Sequence, residues 1–229
     1  MVAKPLSGIE VCVFDAYGTL FDISSVAKGA QAALGERWRA LSALWRSKQL
    51  EYTWLRGLSG NHADFWQVTG DALDFALISL EIQHPGLRDQ LMELYLSIKA
   101  YPEVPTTLQR LKRAGLKTAI LSNGSPAMLE AAVRNAMLGA MFDAVLSVES
   151  VGVFKPHPSV YGLACKHFSV PAGRICFLSS NGWDAYSAKT FGFQVLWCNR
   201  FGQPAEHLPD APDGQMSTLA ELPAWLGIG

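Results

Sequence analysis

The sequence predicts an α/β protein: a parallel sheet covered by helices on both faces, with a long helical insertion soon after its first strand. Three observations carry this expectation. A short apolar, β-branched-rich run, Ile9 to Phe14, reads as a strand buried on both faces. From about residue 105 onward, similar runs alternate with amphipathic stretches, the pattern of a parallel sheet. Between the two, from Phe21 to about Ala100, the apolar spacing is helical.

The first strand stops at Asp15, and Gly18 follows within three residues to permit a turn. An aspartate at the carboxyl end of a buried strand stands where open α/β sheets place their ligands. A turn aspartate capping the next segment is the other reading of that residue alone. In the insertion, Trp38, Leu41, Leu44, Trp45, Tyr52 and Leu55 recur at three- and four-residue steps or their multiples, as on one helix face. Phe65, Val68, Leu73, Phe75, Leu77 and Leu80 suggest a second helix, and Leu87 to Ile98 a third. Arg46 lies near the middle of the first, with Leu50 four residues on and so on the same face. A helical insertion placed here reads as a cap that closes over a site and excludes water. The expected organisation is a core of residues 1–20 and 100–229 and a cap of residues 21–99.

Tyr101-Pro102-Glu103-Val104-Pro105 returns the chain to the core, its prolines suiting a hinge or linker. The alternation then runs helix Pro105 to Ala114, strand Lys117 to Leu121, helix Pro126 to about Ala136 and strand Phe142 to Leu146. It continues with helix Ser159 to Phe168, strand Arg174 to Leu178, helix Asp184 to Phe191 and strand Phe193 to Trp197. Gln203 to Gln215, with three prolines, reads as irregular, and a last helix over about Thr218 to Leu226 closes the domain.

Composition bounds the function. With 229 residues, 49% hydrophobic and 17% charged, a large core is expected and disorder is not. A net charge of -1 gives no electrostatic case for nucleic acid or a membrane surface. Cys12, Cys165, Cys176 and Cys198 show no C-x-x-C pair and no zinc spacing; Cys12 and Cys176 read as small buried hydrophobes, in keeping with a reducing cytoplasm. Lys4 is followed by an apolar run broken by Glu10 and Asp15, without a signal-peptide cleavage pattern. No apolar stretch approaches a membrane span.

Polar groups end the later strands too. In Ser122-Asn123-Gly124-Ser125-Pro126, Ser125 before proline looks like a helix N-cap, leaving Ser122 and Asn123 at the strand end to face a ligand or to serve the turn. Lys155, in Phe154-Lys155-Pro156-His157-Pro158, is either a solvated loop charge or a cation for the site; His157 reads as solvated or capping. Phe177-Leu178-Ser179-Ser180-Asn181-Gly182-Trp183-Asp184 is the most specific run, in which Asp184 could also cap a helix.

Asp15-Ala16-Tyr17-Gly18-Thr19 resembles the first motif of the haloacid dehalogenase superfamily, whose aspartate is a covalent nucleophile. The other strand ends, and the cap run Trp45-Arg46-Ser47-Lys48-Gln49-Leu50-Glu51-Tyr52, resemble its L-2-haloacid dehalogenase branch. The resemblance covers essentially the whole chain and implies a Rossmann-like core. Phosphatases of the superfamily carry a second aspartate where this chain has Tyr17, and an acid where it has Ser180. A phenol is a poor general acid for a phosphate leaving group. Asp15 with Asp184 alone is a thin ligand set for a hard divalent cation. No metal and no cofactor are therefore expected, and a phosphatase is the alternative reading.

The resemblance implies that Asp15 displaces halide from an L-2-haloalkanoate and that water then cleaves the ester to a D-2-hydroxy acid. Asp184 would activate that water with Ser179 and Asn181 orienting it, and Thr19 and Tyr161 would belong to the catalytic set. Ser122, Lys155 and the backbone N–H groups following Asp15, beginning with Ala16, would hold the substrate carboxylate. Arg46 and Asn123, with Trp183, would receive the halide, while Tyr17, Leu50, Phe65 and Trp183 shape an apolar pocket. The partners implied are a 2-haloalkanoate and water, with no nucleic acid and no membrane; a homodimer is left open.

Overall fold

The computed structural model describes residues 5–23, 26, 31 and 34–228. Lys4 and part of the helical pattern after Phe21 lie outside the described residues. Six strands form one parallel sheet: β1 (Val11–Phe14), β2 (Lys117–Ser122), β3 (Ala144–Ser147), β4 (Ile175–Ser179), β5 (Gln194–Cys198) and β6 (Gly214–Met216), in the order β3-β2-β1-β4-β5-β6. Successive residues of β1 and β4 point to opposite faces and all are buried, so both faces are covered. The covering helices are α4 (Val104–Arg113), α5 (Pro126–Asn135), α6 (Pro158–Phe168), α7 (Gly182–Phe191) and the short α8 (Leu222–Trp225). Cys12 and Cys176 stand side by side in this buried ladder as free thiols.

The sheet's winding sets the position of everything functional. The chain moves outward from β1 to β3 and then returns to lay β4 against the other side of β1. The strand order reverses between β1 and β4, the place where open α/β sheets leave a crevice at their carboxyl ends. Phe14 pairs with both Ile120 and Leu178, so β1, β2 and β4 deliver Asp15, Ser122 and Ser179 to nearly one level.

The insertion folds as α1 (Arg37–Ser59), α2 (Phe65–Ser79) and α3 (Leu87–Leu96). One face of α1, Leu41, Trp45, Gln49 and Thr53, is buried at four-residue steps. Gly60 ends α1 in the left-handed conformation, and Asp64 caps α2 by accepting from Gln67 N–H at 2.9 Å. The outgoing and returning segments run beside each other: Asp22 N–H donates to Lys99 at 2.8 Å and Tyr101 N–H to Leu20 at 2.9 Å. Arg200 fastens this crossing. Its guanidinium donates to the Thr19 carbonyl at 2.8 Å, pairs with Glu103 at 2.7 Å and lies 3.8 Å from the centre of the Tyr101 ring.

Two expectations need correction. The irregular stretch ends in a sixth strand, Gly214–Met216, too short and too poor in β-branched residues to show as a strand pattern. Gly214 sits against Trp225, whose ring would be 2.3 Å from any added Cβ. The terminal helix is a 3₁₀ turn, Leu219–Glu221, followed by only four α-helical residues. Pro223 has no N–H with which to continue a ladder, and Thr218 with Glu221 forms a capping box at the turn. No helix among the described residues is long and apolar enough to cross a membrane.

Candidate active site

Asp15 leaves β1 with its N–H held by the Leu178 carbonyl at 2.8 Å, and the chain turns at once. The Ala16 carbonyl accepts from Leu20 at 2.9 Å and Phe21 at 3.0 Å, and the N–H groups of Ala16 and Tyr17 have no backbone partners among the described residues. They form an anion-accepting edge beside the carboxylate. Three side chains fix that carboxylate. Thr19 Oγ1 donates to Oδ2 at 3.2 Å, Asn181 Nδ2 to the same oxygen at 3.0 Å, and Lys155 Nζ to Oδ1 at 3.1 Å. Thr19 Oγ1 accepts in turn from Ser180 N–H at 2.8 Å, tying the loop after β4 to the one after β1.

Lys155 is fully buried and also donates to Asp184 Oδ2 at 2.9 Å. Burial alone would lower its pKa; Asp15 and Asp184 outweigh that and raise it above the ordinary lysine value. The solvated-loop reading of this residue is therefore wrong. The Lys155 N–H is held by Asn123 Oδ1 at 2.9 Å, which turns the Asn123 Nδ2 donor toward the pocket. Asp184 is completely buried, and its Oδ1 accepts from the Tyr161 hydroxyl at 2.8 Å. Burial pushes the Asp184 carboxyl up, Lys155 draws it partly back, and the Asp15 charge raises it again. The phenol of Tyr161 is raised well above its ordinary value, first by burial and then by Asp184. Asp184 does not cap its helix: it is the third residue of α7, and Asn181 holds the N-cap place without a side-chain cap bond. Ser125 and His157 are side-chain N-caps of α5 and α6.

Above the carboxylate lies a cavity of about 20 Å³, enclosed by groups from both parts of the chain. Asp15, Ser122, Asn123, Lys155 and Asn181 form its polar floor, and Tyr17, Leu50, Phe65 and Trp183 its apolar wall. Arg46 reaches it from α1, donating through Nη2 to Asn181 Oδ1 at 3.0 Å. Ser122 Oγ accepts from Gly124 N–H at 3.1 Å and keeps its proton for the pocket. Gly124 must remain bare, since an added Cβ would stand 2.9 Å from the Tyr17 ring. Tyr17 is buried with its hydroxyl unpartnered among the described residues, and burial, then Tyr95 and Asp15, raise its pKa above the ordinary phenol range. It stays a neutral wall.

The structure thus brings every candidate residue to one place, with Thr19, Tyr161, Ser179 and Asp184 behind the cavity rather than on its surface. Ser179 is buried and accepts from Asn181 N–H at 3.2 Å, steadying the loop that carries the amide. One contact was not anticipated: Arg46 Nη1 donates to Gln49 Oε1 at 2.7 Å. The available signal was a glutamine at a position that the four-residue spacing from Leu41 and Trp45 assigns to the buried face of α1. Among the described residues, no group of three or more His, Cys, Asp or Glu side chains could hold a metal ion.

Comparison with known proteins gives one answer. The family model for haloacid dehalogenase-like hydrolases matches residues 9–192. The chain is 43% identical over 219 residues to (S)-2-haloacid dehalogenase 1 of Pseudomonas sp. strain CBS-3, covering 95% of this chain and 96% of that one. It is 47% identical over 199 residues to the (S)-2-haloacid dehalogenase of Xanthobacter autotrophicus, covering 86% and 78%. A crystal structure of L-2-haloacid dehalogenase from Xanthobacter autotrophicus with chloropropionic acid covalently bound superimposes with a TM-score of 0.89, at 39% identity, covering 96% of this chain and 98% of that one.

The ion cluster gives a stability test. Lys155→Met leaves two carboxylates buried together without a cation, and breaking such a pair costs about 3–5 kcal/mol. Without the ammonium the Asp184 carboxyl loses the charge that draws it back and is raised further in the folded state. Stability is then retained at acid pH, where Asp184 is protonated, and lost as pH rises through its raised value. Urea unfolding of Lys155→Met should fall further below the unmodified protein at about pH 8 than at about pH 5. An equal deficit at both pH values would rule out carboxylate repulsion as its cause.

Proposed function

The chain belongs to the haloacid dehalogenase-like hydrolase family and, within it, to the (S)-2-haloacid dehalogenases, and we propose that it converts short L-2-haloalkanoic acids to D-2-hydroxy acids through an ester on Asp15. The observation that carries this reading is the Asp15 carboxylate paired with Lys155 at 3.1 Å at the floor of a small cavity with an apolar wall. In the first step an Asp15 oxygen bonds to C2 from the side opposite the halogen, and the carbon–halogen bond breaks with both electrons leaving on halide. Lys155, Ser122 and the N–H groups of Ala16 and Tyr17 hold the substrate carboxylate. Arg46, Asn123 and Trp183 receive the halide. The Trp183 indole N–H is buried without a partner among the described residues, a donor left over for an anion.

In the second step water adds to the carbonyl carbon of the Asp15 ester, its proton passing to Asp184. The bond from that carbon to the alkyl oxygen breaks, the alkoxide takes the proton held by Asp184 and leaves as the hydroxy acid, and the Asp15 carboxyl releases the second proton of the water to solvent. Ser179 and Asn181 steady the water's surroundings. A carboxyl raised by burial is a better base than an ordinary carboxylate once ionised, which suits this role. Residues 21–99 act as the cap, carrying Arg46, Leu50 and Phe65 to the site.

A divalent ion does not fit these residues. Tyr17 and Ser180 stand where superfamily phosphatases carry acids, and the Lys155 ammonium lies between the two carboxylates that remain, at 3.1 and 2.9 Å. Neither step is therefore routed through a metal.

The central experiment is a single turnover in oxygen-18 water. L-2-chloropropionate should release halide and the D enantiomer should not, with label entering Asp15 and an unlabelled D-2-hydroxypropionate as product. Label in the first-turnover product, or retained configuration, would refute the ester mechanism.

Halide release should be unchanged by excess EDTA, and small phosphate esters with added magnesium should not be hydrolysed. Dehalogenation abolished by EDTA and restored by magnesium would overturn the metal-free reading. Magnesium-dependent phosphate release without halide release would establish the phosphatase alternative.

Asp184→Asn should slow ester hydrolysis more than ester formation, so that intact-mass spectra show alkylated Asp15. With Asp184 intact, the base is lost as pH falls through its raised pKa. The acid limb of hydrolysis should accordingly lie above the ordinary aspartate value of about 4. Only unmodified protein in Asp184→Asn after exposure to substrate would remove Asp184 from the second step.

A further inference from the structure

Within the reading of Arg46 as the halide donor, we propose that Gln49 and Thr69 are positioning residues that set the Arg46 guanidinium for that task. Both side chains are 0% exposed, and polar groups buried so deeply need partners. Each of their bonds has only one possible direction. The Thr69 hydroxyl stands 2.6 Å from the Phe65 carbonyl and spends its single proton there. Toward Gln49 Nε2, at 2.7 Å, it can then only accept. The Gln49 amide is thereby fixed with nitrogen toward α2 and with Oε1 toward Arg46 Nη1, 2.7 Å away.

The backbone reinforces this orientation. Trp45, the residue before Arg46, donates through Nε1 to the Thr69 carbonyl at 2.8 Å, pinning α1 to α2 at the same point. On its other side Arg46 Nη2 engages Asn181 Oδ1, which turns the Asn181 amide so that Nδ2 faces Asp15. Donors therefore run outward from Arg46 in two directions, through Gln49 and Thr69 to the Phe65 carbonyl and through Asn181 to Asp15. A guanidinium has five N–H donors on a flexible stem. Here two are anchored and the rest are left in a fixed fork for an anion. A leucine at position 49 would fill the buried face of α1 with no amide to desolvate. What the amide adds is an oxygen aimed at Arg46.

The test is a double-mutant cycle on the full chain, with halide release from L-2-chloropropionate and thermal unfolding measured together. Gln49→Met, similar in shape but without the acceptor, should lower kcat by about 10-fold or more, since Arg46 serves developing charge. Thr69→Val should also lower kcat, and Thr69→Ser, which keeps the hydroxyl, should restore most of that loss. In an Arg46→Lys background, where no fork remains to be oriented, Gln49→Met should cost less than about 2-fold. Equal fold-losses in the two backgrounds, or unmodified turnover in Gln49→Met, would overturn the proposal while leaving the Arg46 reading in place. Unmodified turnover in Arg46→Lys would instead remove the halide role, and this inference with it. Should Gln49→Met not accumulate as folded protein, Thr69→Val in the same two backgrounds decides the matter by the same criterion.

Discussion

A lysine ammonium sealed between two carboxylates is the constraint on which the rest of this structure depends. Lys155 is 1% exposed, and moving an ammonium so far from water is costly unless charge and hydrogen bonds meet it on every side. Asp15 and Asp184 supply the charge, and the Phe177 ring, 5.0 Å from Nζ, closes the remaining side. The three groups follow β1, β3 and β4, Asp15 and Lys155 in loops and Asp184 in the first turn of α7, so the cluster exists only when the sheet is assembled in its reversed winding order. The surrounding bonds serve that arrangement. Asn123 holds the Lys155 backbone, Tyr161 holds Asp184, and Thr19 with Asn181 holds the outer oxygen of Asp15. Burial drives the Asp184 carboxyl upward, Lys155 draws it partly back and Asp15 raises it again, while the two carboxylates hold Lys155 protonated against its own burial.

The insertion contributes what the sheet cannot. Strand ends present small polar groups at one level, whereas a small organic acid also needs a wall and a donor on its far side. Leu50, Phe65 and Arg46 provide these from α1 and α2. Arg46 meets Asn181, which also binds Asp15, so the contact between α1 and the sheet and the fixing of the Asp15 carboxylate share one amide. The crossing that joins the two parts is tied to the same machinery. Arg200 grips Glu103 and Tyr101 on the returning segment and the carbonyl of Thr19 on the outgoing one, and the Thr19 hydroxyl is bonded to Asp15.

Much of this was legible in the sequence because it depends on period and position. Five of the strands are apolar runs bounded by turn residues, and the polar groups beyond three of them could be read as a set once the sheet was inferred to be parallel. Ser125 and His157 were legible as caps for the same local reason. What escaped depends on tertiary contact. β6 has three residues and owes its place to backbone pairing with β5 and to the room Gly214 leaves for Trp225. The break in the terminal helix comes from one missing N–H at Pro223. Gln49 carried a faint signal, as an amide on an apolar stripe, but Thr69 carried none. Its partners lie on another helix and on its own preceding turn, and no spacing rule connects residue 69 with residue 46.

The substitutions that set this chain apart from a phosphatase of the same fold also have an electrostatic logic. Tyr17 and Ser180 replace two acids around Asp15 and leave two carboxylates, Asp15 and Asp184, paired with Lys155, with Arg46 bonded to the neighbouring Asn181 amide. A dianionic phosphoryl group approaching a carboxylate nucleophile needs further positive charge, which a metal ordinarily supplies. A monoanionic haloacid brings an uncharged carbon to the nucleophile, and its carboxylate can rest on backbone N–H groups and one ammonium. In the proposed first step charge moves from the Asp15 carboxylate to the departing halide, and a neutral phenol at position 17 does not oppose that transfer. An aspartate there would sit beside both the nucleophile and the anion it releases. Balance within the cluster, rather than an added ion, is what this arrangement of residues provides.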